Sequence, residues 1–344
     1  MSEFIEETEV EEEELFEHYR FIADPGQEVI RIDKFLIDRM PNTSRNKVQV
    51  AAKSGNILVN EQKVKQNYRV KPGDSVSIVL PFPIREIELI PQDIPLDIHY
   101  EDDQLIVINK PSNIVVHPGY GNYTGTLVNA LVYHFDHLPQ RSHDYFGRPG
   151  LVHRLDKHTT GLMVIAKTEE TLTHLAKQFY DRSTERRYNA LVWGDIEHDG
   201  TISGNLGRSP KNRKVMTVFE DETLGKHAVT HYKVLKRFGL VTLVECKLET
   251  GRTHQIRVHM KHIGHPLFND LEYGGDKILK GTKSTSYSRF IENCFELIPG
   301  QALHAKTLGF FHPFLKKQLQ FDSVLPPGFQ SVLDKWEKYV RSED

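Results

Sequence analysis

Cysteine is scarce in this 344-residue chain: Cys246 and Cys294 are the only two, and they do not form a C-x-x-C pair. That excludes a disulfide framework and a four-cysteine zinc site, and it points to a reducing compartment, the cytoplasm. No apolar run approaches the roughly 18 residues that a membrane helix needs. A basic-then-apolar leader is lacking as well, since the chain opens on the acidic stretch MSEFIEETEVEEEELFE. Positions 1–19 contain nine Glu and no Lys or Arg, and they read as a disordered acidic tail.

Positive charge, by contrast, is concentrated. The formal net charge is −3, yet without the first 19 residues the chain has 44 basic against 38 acidic side chains. Positions 31–80 alone hold ten Lys/Arg and four Asp/Glu. A local basic patch suits a polyanionic partner, most simply nucleic acid, although ordinary surface solvation accounts for the charge equally well.

Residues 20–80 parse as a compact unit. Ile32, Phe35, Leu36 and Met40 recur at helical spacing up to Pro41, and Ser44 is placed to cap a second helix, Arg45 to Lys53, ended by Gly55. Ile57–Val59 and Ser75–Val79 read as strands. Arg45, Lys47 and Lys53 on the second helix could follow a phosphate backbone. Four prolines between 81 and 95 predict a stiff linker. In 96–344, strand-like runs such as Leu105–Asn109 and Val241–Lys247 outnumber helices and do not alternate strictly with them. The prediction is therefore α+β with a mixed, mostly antiparallel sheet.

Charged residues gather in a few segments of this larger region. Gly150-Leu151-Val152-His153-Arg154-Leu155-Asp156 continues through Lys157 and His158 to Thr159-Thr160-Gly161, so Asp156 is a lone carboxylate among basic groups. Such an Asp is either a functional anion or the cap of its own turn. Glu249-Thr250-Gly251-Arg252-Thr253-His254-Gln255-Ile256-Arg257-Val258-His259 is rich in guanidinium and imidazole. Its alternative is a helix start with a solvated basic face. Zinc at His254, His259, His262 and His265 is disfavoured, because the spacing matches no ligand pair and Arg257 and Lys261 interleave. Tyr188 opens a strand after Arg186 and Arg187, where a core tyrosine is the ordinary reading. Arg208, Lys211, Arg213 and Lys214 crowd a turn-rich stretch that suits RNA phosphates or plain solvent.

Residues 31–80 resemble the S4 RNA-binding domain, through Arg31-Ile32-Asp33-Lys34-Phe35-Leu36, Ser44-Arg45, Gly55 to Asn60, and Lys71-Pro72-Gly73-Asp74. The family usually has Gly where Glu61 stands. Residues 96–325 resemble the RluA-type family of RNA pseudouridine synthases, on the motifs around Asp156, Tyr188 and Arg257, with Leu303-His304-Ala305 in addition. Thr160 replaces the usual Ser.

The combination looks like the ribosomal large-subunit members, the D type nearer than the C type. The implied activity is isomerisation of uridine to pseudouridine in structured RNA, with 23S ribosomal RNA or a large-subunit precursor as partner. A tRNA-modifying member and a non-catalytic ribosome-assembly protein are the alternatives. The resemblance implies no cofactor, because the reaction involves neither redox change nor group transfer. It implies Asp156 as catalytic carboxylate, Arg257 as its basic partner, Tyr188 against the target base, and Arg154 in the gap that the extruded uridine leaves.

Overall fold

A computed structural model describes residues 15–40, 43–80, 89–119, 121–139, 148–213, 215–221, 223–282 and 284–343. The acidic segment up to residue 14, Pro41, residues 81–88 of the expected linker, and Lys214 lie outside the described residues. The chain divides into two units between Ile87 and Glu88.

In the N-terminal unit the elements run β1 (Phe16–Ile22), β2 (Ile30–Arg31), α1 (Ile32–Arg39), α2 (Arg45–Lys53), β3 (Ile57–Val59), β4 (Gln62–Lys63), β5 (Arg69–Val70) and β6 (Ser75–Leu80). The main sheet has the order β1-β6-β3-β4, and β2 pairs separately with β5. Ser44 caps α2 by accepting the Lys47 N–H, which satisfies one of the free donors at that helix start. Ile32, Phe35, Leu36, Val48 and Ala52 bury their side chains with Ile57, Val59, Val76 and Ile78. Each full burial removes apolar surface worth about 1.5–3 kcal/mol.

The tail expected over residues 1–19 is too long at its C-terminal end. Residues 16–19 belong to β1, antiparallel to β6, with Phe16 opposite Leu80 and Phe21 opposite Val76. The Glu-rich composition masks Phe16, Tyr19 and Phe21, the last two stacked with ring centroids 6.2 Å apart. Glu17 pairs with Arg20 and accepts a hydrogen bond from the Ser77 hydroxyl (2.7 Å).

The second unit runs β7 (Ile98–Glu101), β8 (Leu105–Lys110), α3 (Leu127–His134), β9 (Thr160–Ala166), α4 (Glu169–Asp181), β10 (Glu185–Trp193), β11 (Gly200–Arg208), β12 (Met216–Phe219), β13 (Lys226–Arg237), β14 (Val241–Leu248), α5 (Gln255–His262), α6 (Thr285–Leu297), β15 (Leu303–His312), β16 (Lys317–Asp322) and α7 (Pro327–Glu343). Its strand order is β12-β11-β13-β14-β10-β15-β9-β8-β7, with β16 on β15. Every pairing is antiparallel except β15 with β9, so the fold is α+β with a mostly antiparallel sheet.

Helix α4 follows its Thr168 cap and buries Leu172 and Leu175 against the sheet. Helix α7 packs Phe329, Val332, Leu333 and Trp336 with α6. The parallel pairing places His304 beside Thr160 and Ala305 beside Gly161. At Gly161, with φ +112°, an added Cβ would meet the Ala305 carbonyl oxygen at 2.3 Å, so only glycine permits this approach. The Asp156 segment enters the sheet at this join.

Candidate active site

The segment from Gly150 to Thr160 is fastened at both ends. The Ala166 N–H donates to the Gly150 carbonyl (2.9 Å), and His153 Nε2 accepts the Val164 N–H (3.1 Å). Burial drives the His153 imidazole down to about 3, so it serves as a neutral acceptor. Its ring stacks on Phe179 with centroids 4.5 Å apart. At the other end Gln301 Nε2 donates to Thr159 Oγ1 (3.1 Å). Thr160 Oγ1 lies 2.8 Å from His304 Nδ1, and His304 Nε2 lies 2.8 Å from Ser323 Oγ. The hydroxyl that threonine shares with the usual serine is thus engaged at this join.

Between these ties lies Lys110, whose side chain is fully buried at the end of β8. Its Nζ donates to the carbonyls of Pro111 (2.7 Å), Ile114 (2.9 Å) and Lys157 (3.1 Å), so three acceptors match the three N–H bonds of an ammonium. Burial pulls this lysine down to about 7, against the opposing pull of the Asp156 charge. Lys110 therefore clamps the residue next to Asp156. Neither motif nor periodicity identified it. The one available signal was a charged residue two positions after the apolar run Leu105–Ile108, and a strand end in solvent gives the same pattern.

Helix α5 brings the counter-charge. Gln255 Oε1 accepts from Thr250 Oγ1 (2.6 Å) and from the Arg252 N–H (3.0 Å), which closes the turn ahead of the helix. The helix does not present the solvated basic face that was the alternative reading, because Arg257 and His259 are buried.

Arg257 Nη1 donates to Asp156 Oδ2 at 3.1 Å. Its Nε and Nη2 form a two-pronged pair with Asp270 at 2.7 Å each, and Nη2 also reaches Glu272 Oε2 at 2.6 Å. The guanidinium lies over the Tyr273 ring, 4.8 Å from its centroid. Burial disfavours the Arg257 cation, but the carboxylates led by Asp270 overcome that and raise its pKa. Asp156 thus spends its side chain on Arg257 rather than on its own turn, where the Thr159 N–H is taken by the Asp156 backbone carbonyl.

Asp156, Arg257, Tyr188, His254 and Arg154 line one cleft. Tyr188, on β10, is 8% exposed, and burial pushes its phenol pKa up, so it is neutral and presents an apolar face. Arg154 is exposed and is also shared with an adjoining cavity of about 500 Å³ that His117, Arg148 and His153 help to line. The chemical content is a carboxylate held by a buried guanidinium, an aromatic wall, and an arginine at the rim.

The other residues expected to bind RNA are not among those that line this cleft. Arg208 donates through Nη1 to the Arg213 carbonyl (2.7 Å) and closes the β11–β12 turn, and Lys211 and Arg213 are exposed beside it. In the N-terminal unit Arg45 Nε donates to Asp33 (2.9 Å) while the side chain stays largely exposed, as does that of Lys53. Lys47, in the first turn of α2, is exposed as well. Sequence reasoning also missed Asp270, Glu272 and Tyr273, which follow a turn outside any motif. The histidine cluster is dispersed: His259 Nδ1 pairs with Thr230 Oγ1 (2.9 Å), and His265 Nδ1 with the Trp193 carbonyl (2.7 Å). Among the described residues no group of three potential ligands could hold a metal ion, and no helix is long and apolar enough to cross a membrane.

A mostly antiparallel sheet with a motif-built aspartate pocket defines the class. The RNA pseudouridylate synthase family model matches residues 104–262 and the S4 domain model residues 30–76. An uncharacterized RNA pseudouridine synthase of Chlorobaculum parvum is 46% identical over 90% of this chain and 94% of its own length. The ribosomal large subunit pseudouridine synthase D of Zymomonas mobilis is 41% identical over 87% of this chain and 92% of its own. The solved human RNA pseudouridylate synthase domain containing 1 shares the fold, with a TM-score of 0.53 at 24% identity over 73% of this chain and 96% of that one. The chain belongs to the RNA pseudouridine synthase family, and it is an isomerase of that family carrying an N-terminal S4 domain.

Proposed function

We propose that the chain converts uridine to pseudouridine in large-subunit ribosomal RNA, with Asp156 as the carboxylate that acts on the extruded nucleoside. The observation that carries this reading is the 3.1 Å contact between Asp156 and Arg257, made across 101 residues of sequence inside a cleft that Tyr188 walls. The ion pair with the buried Arg257 guanidinium fixes the direction of the carboxylate. Arg257 Nη1 takes Oδ2, and Oδ1 lies 3.7 Å from Nε2 of His254, which lines the same cleft. Tyr188 gives a flat surface for the base, and Arg154 at the rim occupies the gap in the RNA stack. Arg45, Lys47 and Lys53, with Arg208, Lys211 and Arg213, contribute salt-sensitive backbone affinity. The large-subunit assignment draws on the relatives named synthase D.

Asp156→Asn retains the shape and removes the anion. Expected is loss of pseudouridine formation by at least about a thousandfold, with RNA affinity within a few fold, read by carbodiimide mapping of in-vitro-transcribed large-subunit RNA. Undiminished turnover in this variant removes Asp156 from the chemistry. Modification confined to transfer RNA would move the substrate class while leaving the site in place.

A further inference from the structure

His254 lines the same cleft and is held unusually. It precedes α5 with φ +55°, a left-handed conformation that costs a residue bearing a Cβ about 1–2 kcal/mol. Strain of this kind persists where surrounding contacts impose it and is concentrated at working sites.

A side-chain contact with Tyr273 bears on the tautomer of this ring. The Tyr273 hydroxyl oxygen accepts the Met216 N–H at 3.0 Å and lies 2.8 Å from His254 Nδ1. Burial pushes the Tyr273 phenol up to about 12, so it keeps its proton; with its oxygen already taken by the Met216 N–H, we assign that proton to the bond with Nδ1. An imidazole that accepts at Nδ1 carries its own hydrogen on Nε2. That Nε2 is 3.7 Å from Asp156 Oδ1, beyond hydrogen-bond length, and no acceptor among the described residues takes this N–H. Burial also lowers the His254 pKa, with the Asp156 charge opposing, so the ring is neutral near pH 7.

A neutral imidazole with one aimed and unsatisfied N–H is a donor suited to an oxygen on which negative charge is about to appear. We propose that His254 Nε2–H donates a hydrogen bond to a carbonyl oxygen of the target uracil while the base is detached from the sugar. The inference rests on the assignment of the Asp156 cleft as the uridine site.

The chemistry balances without any transfer from the histidine. The C1′–N1 bond breaks with its electron pair on the uracil, where the charge spreads over N1, O2 and O4. The electron-deficient C1′ faces the Asp156 carboxylate. The ring turns, its electron pair at C5 forms the C1′–C5 bond, the C5 proton leaves to solvent, and N1 takes up a proton from solvent, so the product is an isomer of the substrate. His254 keeps its hydrogen throughout. Because the turn that brings C5 to the place of N1 also exchanges O2 and O4, one fixed donor meets one carbonyl before rotation and the other after it.

The test pairs variants with altered substrates. The probe is a stem-loop of large-subunit RNA with the mapped target uridine, or with 2-thiouridine or 4-thiouridine at that position. Sulfur is a poorer acceptor than oxygen. Under single-turnover conditions His254→Ala should lower the rate about 100-fold with RNA affinity within a few fold, and His254→Gln, which restores an N–H donor, should recover about tenfold. The wild-type penalty for at least one thio substitution should shrink several-fold in His254→Ala, since the bond that sulfur weakens is already gone. Identical thio penalties in both enzymes overturn the inference. So does a rate loss that Gln does not recover and that a lowered melting temperature accompanies. An inert Asp156→Asn beside a fully active His254→Ala defeats this inference alone, whereas an active Asp156→Asn defeats the site assignment beneath it.

Discussion

The two units use one kind of ion pair in opposite senses. In the N-terminal unit the carboxylate is inside: the Asp33 side chain is 3% exposed, and its partners Arg31 and Arg45 are 42% and 65% exposed. In the catalytic unit the cation is inside: the Arg257 side chain is 4% exposed, and its carboxylates open outward from Asp270 at 0% through Asp156 at 18% to Glu272 at 45%. Burying the anion leaves guanidinium edges outward for a polyanion, while burying the cation presents an aimed carboxylate. A pair's contact distance says little about its use; which partner is desolvated says much more.

The comparison breaks most severely at Arg257. Replacing it by Met leaves Asp270 buried without its cation, and removing one partner of a buried pair costs about 3–5 kcal/mol. Expected is loss of activity by a thousandfold or more together with a large fall in the unfolding midpoint. Adding Asp270→Asn removes the stranded charge, so the double variant should regain much of the stability and none of the turnover. Recovery of turnover in the double variant would show that Asp156 works without its guanidinium.

Acid titration sharpens the same contrast. Burial holds His304 and His259 at about 4 and His153 at about 3, all below the ordinary histidine value near 6.5. Between those values and 6.5 the unfolded chain binds more protons than the folded one, so the catalytic unit loses stability as pH falls from 6.5 toward 4. In the N-terminal unit, hydrogen bonds from Arg31, with Arg45 assisting, hold Asp33 at about 2, below its ordinary 3.8. The stability it contributes is therefore present above pH 3.8 and is lost as pH falls toward 2. Hydrogen exchange on the full chain, resolved by peptide, should show the catalytic core weakening by a few kcal/mol at pH 4.5 while residues 16–80 remain protected. Simultaneous loss in both units would contradict this.

The legible parts of the molecule were those whose signal is local. Ser44 marked α2, and Ile32, Phe35 and Leu36 marked α1, because caps and apolar periodicity are carried by adjacent residues. Asp156, Tyr188 and Arg257 stood out through dense motifs, and the structure brings those motifs to one cleft. Lys110, Asp270 and Tyr273 were not legible, since a charged or phenolic side chain is drawn inside only by partners distant in sequence. His254 lay within a motif, but its tautomer depends on Tyr273, 19 residues later. Residues 16–19 were misread because composition averaged over a Glu-rich run obscures a short aromatic strand.

The smallest expected effect lies in the turn between β3 and β4. Asn60 and Glu61 have φ of +48° and +67°, so both central residues are left-handed, as a two-residue hairpin of this hand requires. Asn60 is suited to that place: its Oδ1 accepts the Ser75 N–H (2.9 Å) and its Nδ2 donates to Asp74 (2.9 Å). The Glu61 side chain is exposed and makes no hydrogen bond among the described residues to repay the conformation, and it stands where the S4 family usually has Gly. Glycine enters this region without the Cβ clash, which outweighs its greater freedom in the unfolded chain. Glu61→Gly should therefore stabilise the N-terminal unit by about 1 kcal/mol, read as slower exchange at Ile57–Val59 and Val76–Ile78. The substitution also removes one negative charge from the basic unit, so RNA affinity at low salt should rise slightly while turnover at saturating RNA stays the same. A destabilised Gly variant would mean that the left-handed Glu61 is held by contacts stronger than its strain.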